Sequence, residues 1–229
     1  MLNAVGPQQL DIPVGSAGTV SARLIHPAKA RACFVFAHGA GAGMTYSFME
    51  AAAQGLAERG VASLRYQFPY MEKGSKRPDP SAIAHAAVRA AVAEAARRCA
   101  GLRLIAGGKS FGGRMTSQAQ ALAPLDGVDG LAFFGFPLHP AGKPSDDRAE
   151  HLAGIEIPML FLQGTSDKLA ELRLLEPVVR KLGRRATLHR VEGADHSFHV
   201  PARSGRNDRE VLDEILDAFA RWIGALEAW

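Results

Sequence analysis

Leu102-Arg-Leu-Ile-Ala-Gly-Gly-Lys-Ser110-Phe-Gly-Gly-Arg-Met115 decides how the rest of the chain is read. A short apolar run enters a turn crowded with glycine and leaves it as a helix start. The turn Gly108-Lys109-Ser110-Phe111-Gly112 matches G-x-S-x-G, in which a serine is forced into a strained conformation at the tip of a strand-to-helix bend. Glycine two residues before and after suits so tight a bend, since a Cβ at either place collides across it. Such a serine presents its hydroxyl at the amino end of a helix, where backbone N–H groups and the helix dipole face developing negative charge. The same letters include Gly-Lys-Ser, so a phosphate-binding loop is the first rival. That motif needs a further glycine five residues earlier, and position 103 is Arg103, inside the apolar run. The phosphate loop is excluded. The plain alternative is a strand–helix connection whose serine merely caps the helix.

The surrounding chain has 229 residues, 47% hydrophobic and 22% charged, which suits one ordinary globular domain over residues 1–229 with a sizeable core. A net charge of +4 raises nucleic acid as a partner, but the basic residues are scattered in small groups such as Lys73, Lys76 and Arg77, or Lys181, Arg184 and Arg185. No basic block is interleaved with aromatics, so a solvated surface is expected instead. Cys33 and Cys99 form no C-x-x-C pair and no disulfide framework; each reads as a buried small hydrophobe. The opening residues lack a basic start and a continuous apolar core, and no uncharged apolar run is long enough to cross a membrane. A cytoplasmic location is therefore the expectation.

Working outward, residues 8–13 and 19–25 read as two short strands around a Gly-rich turn. Cys33 to Ala37 is a continuous apolar run of the kind covered on both faces, and it leads into His38-Gly39-Ala40-Gly41-Ala42-Gly43, whose backbone N–H groups are little obstructed. Ser47-Phe-Met-Glu50 has the form of a capping box opening a helix to about Arg59, followed by a strand at Val61–Tyr66. The polar, proline-bearing residues 67–80 read as a loop, and 81–100 as a long alanine-rich helix. After the Ser110 turn and its helix come strands at 128–136 and 158–164, a helix at 169–182, a strand at 185–191, and a last helix opened by a second capping box, Asn207 to Glu210. Strands alternating with helices predict an α/β architecture: a mostly parallel sheet with helices on both faces. In such a sheet the loops beyond the carboxyl ends of the strands carry function. The loops at His38–Gly43, Ser110, Asp167 and Glu192–His199 all follow strands and should converge.

A serine hydroxyl is a poor nucleophile near neutral pH; it needs a base, and the base needs a partner that fixes its tautomer. Beyond Ser110 the chain offers Asp167 just past one strand and His196 just past the last. The order Ser, Asp, His is that of α/β-hydrolases. His196 and His199 lie close enough to raise a metal, but no third ligand of convincing spacing accompanies them, so neither metal nor cofactor is expected. Asp195 adjoins His196 and is the weaker acid. Lys109 reads as surface charge, and His139 as a candidate for the pocket wall.

These motifs resemble the α/β-hydrolase superfamily over nearly the whole chain. Within it the chain is similar to the small, lid-poor enzymes of the dienelactone-hydrolase type. It is closer still to the group that includes the testis-expressed and NSL-complex-subunit homologues. The resemblance rests on His38-Gly-Ala-Gly41, Phe68-Pro-Tyr-Met71, Gly107 to Arg114, Phe136-Pro-Leu-His-Pro140 with Gly142-Lys-Pro144, Leu162 to Asp167, and Gly193-Ala-Asp-His196. It implies Ser110 as nucleophile, His196 as base, Asp167 as orienting acid, and an oxyanion hole from the N–H groups of Phe111 and of Ala40 or Gly41. His38 then shapes its loop. Dienelactone hydrolases carry cysteine at the turn, so Ser110 favours ordinary ester or thioester hydrolysis of a small molecule over that reaction. The expected chain is a monomer or small homo-oligomer with no large cap domain and no nucleic-acid or membrane partner. A hydrolase fold used as an interaction module, without turnover, is the other function class.

Overall fold

In the computed structural model, which describes residues 6–226, eight strands form one sheet in the order β1-β2-β4-β3-β5-β6-β7-β8. The strands are β1 (Gln8–Pro13), β2 (Thr19–Ile25), β3 (Ala32–Ala37), β4 (Val61–Tyr66), β5 (Arg103–Lys109), β6 (Val128–Phe134), β7 (Met159–Gly164) and β8 (Ala186–Val191). β2 runs antiparallel to both its neighbours; every other pairing is parallel. The helices are α1 (Ser47–Glu58), α2 (Pro69–Glu72), α3 (Ser81–Arg98), α4 (Phe111–Leu122), α5 (Leu172–Leu182) and α6 (Asp208–Ala225). The residues before Gly6, where no leader is expected, lie outside the described part. No described helix is long and apolar enough to cross a membrane.

The run read as covered on both faces, in β3, is buried at every residue, and so are β4 and β7. Successive side chains alternate between two apolar layers. Phe34, Phe36, Phe134 and Leu162 face α1 and α6, whose Met49, Leu56, Ile215 and Phe219 complete that layer. Cys33, Val35, Ala106, Phe133 and Phe161 face the other side, where α3, α4 and α5 supply Val88, Val92, Met115 and Leu175. α1 crosses α6 at Gly55, where a Cβ would come within 2.5 Å of Leu216 Cδ1, so the close approach depends on glycine.

Two local expectations fail. Residues 67–80 are not all loop, because Pro69 starts the single turn α2, held by Asp79 accepting the Tyr70 N–H at 2.7 Å. α1 has no capping box: Tyr46 is its cap, and Glu50 is drawn away to the guanidinium of Arg23 at 2.8 Å. The second box is present, Asn207 accepting from the N–H groups of Arg209 and Glu210 while Glu210 accepts from the Asn207 N–H.

The strand order reverses direction between β3 and β5. From β3 the chain moves outward to β4 and, through α3, returns to pair β5 on the other side of β3. Ala37 and Gly108, the last apolar positions before each loop, are register partners across that boundary. A crevice opens beyond the carboxyl ends of strands at such a point.

Candidate active site

Ser110 sits in that crevice with φ 50° and ψ −114°, a left-handed conformation that a non-glycine residue adopts only when its surroundings impose it. Its N–H donates to the Phe134 carbonyl at 3.1 Å, and its carbonyl accepts the first α4 bond from the Arg114 N–H at 3.1 Å. The glycines carry the close approach. A Cβ at Gly108 would lie 2.4 Å from the Ala37 oxygen, and one at Gly112 would lie 2.6 Å from the Ala37 and His38 oxygens. The bend therefore presses against the end of β3, next to the His38–Gly43 loop.

His196, in the loop after β8, brings Nε2 to 2.8 Å from Ser110 Oγ and Nδ1 to 2.7 Å from Asp167 Oδ2. Asp167 is buried and accepts two more hydrogen bonds: from Gln163 Nε2 at 2.5 Å on Oδ2 and from the Leu169 N–H at 2.7 Å on Oδ1. The Gln163 carbonyl accepts the Phe136 N–H at 2.9 Å, which fixes the amide with its NH2 toward Asp167. An acceptor-only carboxylate at Nδ1 requires the proton there, which leaves Nε2 bare to accept from the serine hydroxyl. Gly135, at φ 70°, borders the site: a Cβ there would lie 3.1 Å from Lys109 Nζ and 3.4 Å from the His196 ring.

Lys109 is not surface charge. Its ammonium donates to the His196 carbonyl at 2.5 Å and lies 5.2 Å from the centroid of Phe198 and 5.9 Å from that of Phe48. Burial pushes its pKa down to about 8, opposed by the negative charges of Asp167 and Asp195.

On the opposite wall His38 is fully buried. Its Nδ1–H donates to the Gly39 carbonyl at 2.7 Å, and its Nε2 accepts the Phe68 N–H at 3.0 Å. Burial lowers its pKa to about 4, so it is a neutral pin for the loop. The Tyr70 hydroxyl donates to the Ala40 carbonyl at 2.9 Å. A trans peptide sets that carbonyl and the Gly41 N–H in opposite directions, so one bond orients both. The Phe111 N–H, first in α4, has no intrahelical partner.

The other candidates are held in contacts of their own. Asp195 turns its carboxylate onto the N–H groups of Ser197 and His199. His199 pairs with Asp208 at 2.9 Å, and no cluster of three metal-ligating side chains exists among the described residues. His139 is buried with Nδ1 on the Pro140 carbonyl, and its Nε2 has no partner. A second serine–histidine contact, Ser117 Oγ to His151 Nε2 at 2.8 Å, has no carboxylate behind the imidazole, and the Ser117 hydroxyl is buried mid-helix, donating to the Arg114 carbonyl at 3.0 Å. Ser110, Asp167 and His196 were each legible at a strand end. Gln163 was missed, although a polar residue ending the apolar run Met159–Leu162 was a usable signal.

A sheet of this order with a strained serine at the turn between β5 and α4 is the architecture of an α/β hydrolase. The sequence profile of the alpha/beta hydrolase domain matches residues 30–224, and the chain belongs to that family. Its backbone is similar to that of a dienelactone hydrolase from Anabaena variabilis, with TM-score 0.76, 20% identity, and coverage of 96% of this chain and 99% of that one. It is also similar to a lidless α/β serine hydrolase from Xanthomonas campestris, with TM-score 0.72, 18% identity and 97% coverage of both. A third likeness is to Est1E from Butyrivibrio proteoclasticus with bound ferulic acid, with TM-score 0.72, 16% identity, and coverage of 96% and 100%.

Proposed function

We propose that this hydrolase cleaves a small carboxylic ester or thioester through an acyl-enzyme, with Ser110 as nucleophile, His196 as base and Asp167 as orienting acid. The observation that carries this is the relay Ser110 Oγ to His196 Nε2 at 2.8 Å and His196 Nδ1 to Asp167 at 2.7 Å. Ser110 Oγ attacks the carbonyl carbon as its proton passes to Nε2, and the resulting imidazolium is stabilised by Asp167. The oxyanion meets the Phe111 N–H and that of Ala40 or Gly41. His196 then protonates the leaving alcohol or thiol, and water, deprotonated by the same nitrogen, releases the acid. Substrate needs no metal or cofactor in this scheme.

The test is labelling of purified protein with a fluorophosphonate probe, alongside turnover of acyl esters and thioesters. Wild type should label and Ser110→Ala should do neither, with circular dichroism unchanged. A wild type inert to the probe would favour an interaction module instead.

A further inference from the structure

Helix α4 is buried on every side but one. Its half-buried or exposed positions are Arg114, Gln118, Ala121 and Leu122, and its capping residue Ser110 shares that state. Spaced at i, i+4, i+8 and i+11 to i+12, they form a single stripe running from the serine hydroxyl down the helix. The stripe ends in a cavity of about 470 Å³ lined by His85, Gln118, Ala121, Leu122, Glu150 and His151. Arg114 lies between the two, about 6 Å along the axis from Ser110 at 1.5 Å per residue.

Arg114 lacks what a half-buried guanidinium ordinarily has. Its Cζ lies 5.9 Å from the Phe111 ring centroid, and its Nε is out of water without a hydrogen-bond partner. Among the described residues no ion pair involves Arg114 or the half-buried Arg148. The 3-10 segment Asp147–Gly154, which carries Arg148, packs against α4, and burial and then the charge of Arg148 lower the Arg114 pKa. The exposed carboxylates on that connection, Asp146, Asp147 and Glu150, pair with neither. Arg89, by contrast, is satisfied by the carbonyls of Ala119, Ala123 and Pro124. The neighbouring imidazoles add no charge: burial and Arg114 hold His151 at about 4, and burial lowers His85. A planar fork of five donors, one of them out of water and none paired with an acid, matches a carboxylate or a phosphate.

We propose that Arg114, with Arg148 on the segment packed against its helix, is an anion subsite that selects esters or thioesters bearing a carboxylate or phosphate near the scissile carbonyl. This rests on Ser110 being the nucleophile. The test is kcat/KM at low salt for two matched pairs. One pair is the p-nitrophenyl monoester of adipate against its methyl-capped neutral counterpart. The other is the butyryl thioester of mercaptoethyl phosphate against that of mercaptoethanol. The anionic member of at least one pair should be preferred tenfold or more, and which pair responds tells an acyl carboxylate from a leaving-group phosphate. Salt should erode the preference. Arg114→Met should lower the anionic-to-neutral ratio at least tenfold, and Arg114→Lys should retain part of it. If Arg114→Met does not fold, Arg148→Met carries the test with a smaller drop in the ratio. Ratios near one in both wild-type pairs, or ratios untouched by both substitutions, overturn the proposal. Should the fluorophosphonate probe fail to label wild type, calorimetric titration with adipate and with mercaptoethyl phosphate decides the subsite alone. Saturable binding weakened by Arg114→Met supports it, and no binding sinks it.

Discussion

Asp167 accepts from His196, Gln163 and Leu169 at once, so its carboxylate has no freedom to serve another partner. Asp167→Asn places an amide where both Gln163 and His196 offer hydrogens. An NH2 at the Oδ2 place imposes the wrong tautomer on His196, and one at the Oδ1 place opposes the Leu169 N–H and leaves the imidazolium without its counter-charge, so kcat should fall, by up to the order of 10⁴-fold. Steady-state kinetics on a p-nitrophenyl ester checks this; a loss under tenfold would remove Asp167 from the relay. Lys109 yields an opposed pair of pH effects. With its pKa lowered from 10.5 to about 8, the unfolded chain holds the proton over that interval while the folded one has released it. Stability from this group therefore rises with pH between about 8 and 10.5, whereas the ammonium that holds the His196 carbonyl is being lost. Turnover should decline through about pH 8 as thermal stability gains, and Lys109→Met should flatten both trends. Ser110, Asp167 and His196 were legible because each follows a strand-like run. The role of Lys109 was not, because only the packing of Phe48 and Phe198, far apart in sequence, turns it inward.

At the scale of the element, two similar sequence signals part company. Asn207→Ala should cost about 1 kcal/mol, since the Arg209 and Glu210 N–H groups lose their acceptor. Ser47→Ala should change urea stability by under about 0.5 kcal/mol, because α1 never used that hydroxyl as a cap. A capping box is a local pattern, and a long-range partner, Arg23, outbids it for Glu50. α2 was illegible for a related reason: its anchor is Asp79, outside the turn itself. The β5–β6 pairing makes a sharper demand. A Cβ at Gly107 would fall 1.9 Å from the Ala132 oxygen, where backbone rather than a movable side chain stands. Gly107→Ala should cost about 3 kcal/mol or more, whereas Gly154→Ala, with nothing within 4 Å, should stay within about 0.5 kcal/mol. Equal urea midpoints for the two would contradict the close approach.

For the molecule as a whole, the alternation of strands and helices announced the sheet, but not its order, which depends on pairings 71 residues apart such as Val35 with Ala106. The reversal between β3 and β5, and hence the place of the crevice, follows from that order alone. Residues 135–158, where a lid would be inserted, carry only a 3-10 turn at Asp147–Gly154. Short acyl chains should therefore outpace dodecanoyl esters in kcat/KM; the reverse ranking would mean that apolar surface is recruited from elsewhere. The same architecture sets a constraint on biosynthesis. α6 emerges after every strand, yet it supplies Ile215, Phe219 and Trp222 over Phe34 and Phe134. Until it is translated, a nascent chain has only α1 over that aromatic sheet face and leaves the α6 share of it bare, together with a serine whose histidine has only just been made. Aggregation and chaperone engagement should peak in chains truncated between Val191 and Asn207, just before the cover arrives.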